Sequence, residues 1–284
     1  MTMTKFLNNL KTAVLLAAMF GLVLAIGSFW GRDGLIIAFI FGGAMNFIAF
    51  FFSDKIALAA MRGQEVNEKT APDLVTMVQR LATNANLPMP RVYICPQEAP
   101  NAFATGRNPR HAAVAVTQGA LRLLSYEELE GVIGHELAHV KNRDTLTSTI
   151  AATIAGAISF LAYMAMFMGG GNSRDNPLGI VGLLLMILLA PLAAALIQMA
   201  ISRSREYVAD ADGAAIAGTP MGLVDALQKL DAYAKRIPLE GELPAQNHMF
   251  IVQPLSMSGA SLSTLFSTHP PTKDRIARLM QLAR

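Results

Sequence analysis

The sequence predicts an integral membrane protein that is mainly α-helical, with a small β-sheet in a cytoplasmic domain. Three observations support this fold class. Of the 284 residues, 53% are hydrophobic and only 15% are charged, whereas soluble domains carry about 25% charged residues. Four long stretches contain no charged residue at all. A His-Glu-Leu-Ala-His motif at residues 135–139 lies between the second stretch and the third.

The first two apolar stretches run from Thr12 to Trp30 and from Gly34 to Ser53. Each has about the 20 residues that a helix needs to cross a bilayer. Because only three residues separate them, they are expected to form a tight transmembrane hairpin. A cleaved signal peptide is the alternative for the first stretch, but its length and the immediate second stretch count against it.

The second two apolar stretches run from Thr145 to Ser173 and from Asn176 to Ser202. Buried core helices are the alternative, but apolar runs this long are rare in soluble domains. We therefore expect four transmembrane helices in two hairpins, at residues 1–54 and 145–202. The soluble domain would then consist of two parts, residues 55–144 and residues 203–284.

Positive charges flank the four stretches on one side of the membrane. They precede the first and third stretches and follow the second and fourth: Lys5, Lys11, Lys55, Arg62, Lys141, Arg143, Arg203 and Arg205. Each hairpin turn carries only one arginine, beside an aspartate. Because basic residues accumulate on the cytoplasmic side, both termini and the histidine motif are expected in the cytoplasm.

The histidine motif lies in a predicted helix. Residues Ser125 to Glu128 form a capping box that would begin this helix, and apolar residues then recur at helical spacing. His135 and His139 are four residues apart, so both imidazoles face one side at the separation that one zinc ion requires. Glu136 would then take the proton of a metal-activated water. The alternative is a buried helix with two core histidines.

A catalytic zinc ion needs a third protein ligand, which leaves the fourth position for water. Glu206 is the best candidate, and Asp210, one turn later, can accept a hydrogen bond from the far nitrogen of a ligand histidine. The alternative for this pair is a solvated charged face. Gly131, one turn before His135, is expected to leave room beside the metal.

Short strands are predicted at Arg91 to Cys95, Ala102 to Thr105 and Ala112 to Thr117, after an amphipathic helix from Ala71 to Asn86. The second strand and the residue before it can bind an extended peptide at a sheet edge. These residues are Asn101, Ala102, Phe103, Ala104 and Thr105. An ordinary hairpin strand is the alternative.

The C-terminal part is predicted to contain helices at residues 219–236 and 273–282, separated by a flap-like segment at residues 237–263. His269 precedes two prolines, which restrict its backbone. It can stabilise an oxyanion or act as a supplementary metal ligand, and a structural turn histidine is the alternative. Tyr207 is a second candidate for the oxyanion.

The composition does not indicate a disulfide-stabilised protein or a nucleic-acid-binding protein. The single cysteine, Cys95, excludes an internal disulfide and is expected to be a small buried strand residue. The net charge is only +3, and no basic run is interleaved with aromatic residues. Nucleic acid is therefore not an expected partner.

The chain resembles the HtpX family of bacterial membrane-bound zinc metalloproteases, which is related to the CAAX prenyl endopeptidases. The resemblance covers nearly the full length and rests on four motifs at residues 101–106, 134–139, 204–210 and 267–271. It implies a zincin-type metalloprotease domain with one zinc ion per chain. His135, His139 and Glu206 would be the ligands, Glu136 the catalytic base and Asp210 a support of the ligands.

The resemblance also implies a multi-pass protein of the bacterial inner membrane that cleaves damaged or misassembled membrane proteins under stress. Its expected partners are membrane-protein substrates, the lipid bilayer and other quality-control proteases. Two rival functions stay open. One is a protease that processes prenylated peptides, and the other is a membrane scaffold that binds zinc without catalysis.

Overall fold

The structure is a computed structural model that describes residues 3–28, 31–150, 203–236 and 270–283. Several sequence predictions lie outside these residues. They are most of the second pair of apolar stretches, the segment 237–263 and His269. The division of the chain into four parts therefore stays a prediction.

Two long helices form the N-terminal part, α1 (Met3–Ser28) and α2 (Gly31–Ala60), and they pack against each other. The most apolar window of α2 has a mean hydropathy of 2.3, and only 12% of it is buried. Ile37 and Ile40, for example, are 68% and 66% exposed. An apolar surface of this size on a helix of 30 residues matches a bilayer rather than water.

Only α2, among the helices of the described ranges, is long and apolar enough to cross a membrane. In α1 the apolar part is shorter, Leu10–Gly21. The N-terminal helical hairpin is thus present, whereas the total of four transmembrane helices stays a prediction.

A four-stranded sheet follows, built from β1 (Gln64–Val66), β2 (Arg91–Cys95), β3 (Ala102–Thr105) and β4 (Ala113–Thr117). Its strand order is β1-β2-β4-β3. The central pair β2 and β4 is parallel, and both outer strands are antiparallel to their neighbours. Strand β3 is therefore an edge of the sheet, and α5 packs against it.

Six helices complete the described soluble domain. They are α3 (Pro72–Asn84), α4 (Gln118–Leu123), α5 (Tyr126–Asn142), α6 (Arg203–Ala217), α7 (Met221–Arg236) and α8 (Thr272–Leu282). Helix α5 is central, because α3, α6, α7 and β3 all pack around it. Its side chains Val132, Ile133 and Leu137 are fully buried in the core, and each contributes about 1.5–3 kcal/mol to stability by leaving water.

The predicted strands and helices of this domain are confirmed with small shifts at their ends. The helix predicted from Ala71 to Asn86 is α3, and the third predicted strand begins one residue later, at Ala113. Strand β1 was not predicted. It has three residues, is largely exposed and exists because its backbone pairs with β2, so the sequence carries no periodic pattern for it.

Candidate metal centre

Helix α5 is fixed at both ends by its own sequence. The predicted capping box is present: Ser125 N–H donates to Glu128 Oε2 at 2.7 Å, and Glu128 N–H donates to Ser125 Oγ at 3.3 Å. The helix ends at Asn142, and the C-cap residue Arg143 has a left-handed φ of +60°. The chain turns there, and residues 144–150 are again helical.

Two glycines let other helices approach α5 closely. A Cβ on Gly134 would lie 2.8 Å from the carbonyl oxygen of Gly213, where α6 crosses. A Cβ on Gly131 would lie 2.3 Å from the backbone nitrogen of Leu223, at the start of α7. The structure thus corrects the expectation for Gly131: the space beside it is filled by α7 and is not reserved for a metal.

The crossing of α5 and α6 brings the three predicted ligands together. The Nε2 atoms of His135 and His139 are 3.2 Å apart. Oε2 of Glu206 lies 3.7 Å from Nε2 of His135, and Oε1 of Glu206 lies 3.6 Å from Nε2 of His139. His135 and Glu206 are buried, at 1% and 4% exposure.

These distances fit a single zinc ion. With Zn–N bonds of 2.0–2.1 Å in a tetrahedral site, two nitrogen ligands lie about 3.3 Å apart. The two histidines and Glu206 form a group whose three donor atoms lie within 4.8 Å of one another. A donor set of two nitrogens and one carboxylate oxygen is that of a catalytic zinc site. The residues present therefore fit a zinc ion.

Asp210, the predicted support of a ligand histidine, lies beside His135. Its Oδ1 lies 2.9 Å from Nδ1 of His135, although the ring N–H is not aligned for a well-formed hydrogen bond. A carboxylate can only accept, so Asp210 favours the tautomer of His135 that carries its proton on Nδ1 and leaves the lone pair of Nε2 for a metal.

Arg275 holds the other side of Asp210. Its Nε donates to Asp210 Oδ2 at 2.9 Å and its Nη2 to Oδ1 at 2.6 Å. Burial opposes ionisation of Asp210, but Arg275 and His135 lower its pKa well below the ordinary range. Arg275 could not be predicted from the sequence, because it lies on α8 and no local pattern links it to the motif.

Asp144 is a second residue that could not be predicted from the sequence. Its Oδ2 lies 3.2 Å from Nδ1 of His139, and its Oδ1 accepts from Nη1 of Arg205 at 3.2 Å. Burial opposes the charged form of His139, but Asp144, Glu206 and Glu136 raise its pKa to about 9. The carboxylates around the two rings thus favour a positive charge between them.

Glu136 faces the edge strand. Its Oε2 accepts from the backbone N–H of Ala104 in β3 at 2.8 Å, and the side chain is buried. Asn101 precedes the strand, where its N–H donates to Thr117 Oγ1 at 2.8 Å. The structure therefore brings the predicted base and the predicted substrate strand into direct contact.

Tyr207 gains no support as an oxyanion donor. Its ring stacks under Arg278, with the guanidinium carbon 3.7 Å from the ring centre. Its hydroxyl makes no hydrogen bond to another described residue. His269 falls outside the described residues, which begin again at Pro270.

The fold and these contacts define a metalloprotease of the His-Glu-x-x-His class, attached to the membrane by an apolar helix. Comparison with known proteins narrows the class. The profile of peptidase family M48 matches residues 68–283. The chain belongs to peptidase family M48, in the group of HtpX proteases.

Curated relatives are similar over almost the whole chain. A protease HtpX homolog of Desulfatibacillum aliphaticivorans is 59% identical over 278 residues, which cover 96% of this chain and 89% of that protein. A protease HtpX homolog of Persephonella marina is 54% identical and covers 98% of both chains. The crystal structure of S. mikatae Ste24p is similar at a TM-score of 0.49 and 17% identity, covering 98% of this chain and 67% of that one.

Proposed function

We propose that the protein is a zinc endopeptidase of the bacterial inner membrane that cleaves misfolded or damaged membrane proteins from the cytoplasmic side. His135, His139 and Glu206 hold one zinc ion, and Glu136 is the catalytic base. The observation that supports this proposal best is the convergence of three donor atoms at ligand distances beside a carboxylate that is not one of them.

A zinc ion held by these three residues would supply Lewis acidity, which would lower the pKa of a water toward about 7 and polarise a carbonyl. Glu136 accepts the proton of the attacking water and transfers it to the leaving amine. Burial of Glu136 keeps bulk water away from this transfer. Asp210 and Asp144 orient the two imidazoles, so that the ligands are preorganised.

The edge strand β3 is the proposed binding site for the substrate backbone. The N–H of Ala104 points away from β4, toward Glu136. Backbone groups two residues apart on a strand share one direction, so the N–H and carbonyl of Ala102 lie on the same side of β3, away from β4. An extended peptide can pair with this edge, which would place its scissile carbonyl beside Glu136. Such binding requires an unfolded segment, which misfolded proteins offer.

The membrane arrangement is part of the proposal. The exposed apolar surface of α2 and the basic residues around the apolar stretches favour a multi-pass protein with its site in the cytoplasm. A site directly beneath the bilayer suits substrates that are membrane proteins, because their cytoplasmic loops lie at the same level.

The test compares the purified full-length protein with Glu136→Gln and with Glu130→Gln. Both glutamates lie on α5, but Glu130 pairs with Arg80 at the surface at 2.7 Å, so its loss should leave activity intact. We expect Glu136→Gln to retain zinc and to lose about 100- to 10,000-fold in kcat on an unfolded membrane-protein substrate. Undiminished cleavage by Glu136→Gln would exclude Glu136 as the base.

Metal content provides the second readout. Glu206→Gln should lose zinc under dialysis against a weak chelator, whereas Glu136→Gln should not. Normal zinc retention in Glu206→Gln would contradict its assignment as a ligand. A farnesylated peptide in the same assay separates the proposed activity from prenyl-peptide processing. Zinc retention without cleavage of any substrate by wild type would favour the scaffold.

A further inference from the structure

A cavity of about 460 Å³ opens between the end of α2 and the soluble domain. Phe51 and Phe52 of α2 form one wall, and the loop between β3 and β4 forms the other with Arg107 and Arg110. Lys55, one turn beyond Phe51, also lines it. The cavity thus has an apolar side and a basic side, and it takes no part in the metal centre.

The basic side carries excess positive charge. Asp54 is the only carboxylate among the described residues that line the cavity, and it is already paired with Arg91 at 3.0 Å. Lys55, Arg107 and Arg110 have no ion-pair partner among the described residues. Three positive charges therefore face this space without a negative charge to balance them. Such a group of arginine and lysine side chains can bind a phosphate by charge-assisted hydrogen bonds.

Two of these cations are anchored to the apolar wall. The guanidinium of Arg107 lies 5.4 Å from the ring centre of Phe51, and the ammonium of Lys55 lies 5.3 Å from that of Phe52. Both phenyl rings are 39% exposed and continue the exposed apolar surface of α2. Acyl chains and a charged headgroup meet at this level of a membrane.

We propose that this cavity binds the phosphate headgroup of an anionic phospholipid from the leaflet that faces the protease domain. The headgroup contacts Arg107, Arg110 and Lys55, and an acyl chain lies along the phenylalanines of α2. This inference rests on the proposed membrane arrangement. A soluble phosphate would satisfy the cations but would leave the apolar wall uncovered, so the combined surface favours a lipid.

The position of the loop connects lipid binding to proteolysis. Arg107 follows β3 after a single residue, Gly106, whose φ is +130°. A Cβ at Gly106 would lie 2.2 Å from the carbonyl oxygen of His111, so the two ends of the loop are tightly joined. Thr145 Oγ1 donates to the Gly106 carbonyl at 3.0 Å. A lipid that holds Arg107 and Arg110 therefore stabilises the end of the proposed substrate strand.

The experiment measures lipid binding separately from proteolysis. Full-length protein that carries Glu136→Gln is purified and equilibrated with phosphatidylglycerol or phosphatidylcholine, and retained lipid is counted by native mass spectrometry. We expect retention of phosphatidylglycerol in preference to phosphatidylcholine. The double variant Arg107→Gln/Arg110→Gln should lower the affinity about 25-fold, at about fivefold for each basic residue.

Lys69→Gln/Lys273→Gln is the matched control, because both lysines are exposed and lie outside the cavity. Arg107→Lys/Arg110→Lys should restore binding in part. Equal retention of phosphatidylglycerol by the Gln double variant and the control would overturn the inference. Displacement of the lipid by millimolar inorganic phosphate would also overturn it, since the cavity would then be a phosphate site.

Proteolysis is compared afterwards in proteins with an intact Glu136, reconstituted in vesicles of phosphatidylcholine with or without phosphatidylglycerol. The anionic lipid should lower KM severalfold for wild type and the control, and leave the Gln double variant unchanged. Lipid retention without any cleavage would refute the proposed protease function and leave the lipid site standing. Cleavage that responds to phosphatidylglycerol equally in all variants would refute the effect of this lipid site on proteolysis and leave the proposed function standing.

Discussion

Replacement of Arg275 by glutamine tests whether the C-terminal helix belongs to the metal centre. Arg275 and Asp210 are 1% and 4% exposed, and two hydrogen bonds join them. Removal of the guanidinium leaves the Asp210 carboxylate buried without its strongest partner, which costs about 3–5 kcal/mol. For a domain of this size, that corresponds to a loss of about 6–20 °C in Tm.

Zinc affinity should fall as well, because Asp210 can then rotate away from His135. Loss of such a supporting contact typically weakens metal binding by about 10- to 100-fold. Chelator competition measures the affinity, and thermal unfolding in detergent with and without excess zinc measures the stability. Arg278→Gln on the same helix is the control: its guanidinium is exposed and stacks on Tyr207, a contact worth about 0.5–1 kcal/mol.

A double variant separates positioning from simple destabilisation. Asp210→Asn/Arg275→Met removes both buried charges, so it should be more stable than Arg275→Gln. Its zinc affinity should nevertheless stay low, since the carboxylate that orients His135 is gone. Equal Tm and equal zinc affinity in Arg275→Gln and Arg278→Gln would show that the buried pair does not support the site.

Three further predictions follow from the same contacts. The pKa of Asp210 is lowered in the folded protein, so its stabilising contribution is complete above an unfolded-state pKa of about 3.9 and is lost as the pH falls below it. Thermal unfolding of wild type should therefore depend more steeply on pH in that range than that of Arg275→Gln. In the metal-free protein the pKa of His139 is about 9, so zinc must displace a proton and its apparent affinity should rise up to that pH. Calorimetry should find this rise ending at a lower pH in Asp144→Asn. Gly213→Ala places a Cβ 2.7 Å from the α5 backbone, and its Tm should reveal a loss of about 1–3 kcal/mol together with weaker zinc binding.

The part of the site that follows helical spacing could be predicted from the sequence. His135, Glu136 and His139 lie within two turns of one helix, and its capping box marks its beginning. Glu206 and Asp210 follow from the needs of a metal: a third ligand and an acceptor for a ring N–H. The structure brings the side chains of these five residues together.

The contacts made across the fold could not be predicted. Asp144 was missed because no helical spacing links it to His139, whereas the left-handed Arg143 lets Asp144 contact His139. Arg275 is separated from Asp210 by 65 residues, and no periodic pattern spans such a distance. Gly131 was misread for a similar reason, since its neighbour is a helix that begins far along the chain.

Each of the two proposed ligand histidines contacts an aspartate, and each aspartate accepts a hydrogen bond from an arginine. His139 contacts Asp144, which accepts from Arg205, and His135 contacts Asp210, which accepts from Arg275. The first arginine is next to Glu206 on α6, and the second comes from α8. Asp144 thus contacts a residue on the far side of the second apolar pair, and Asp210 contacts a residue on the far side of the segment 237–263. Metal binding and docking of the C-terminal helices are therefore coupled, because the contacts of His139 require α6 and those of His135 require both α6 and α8.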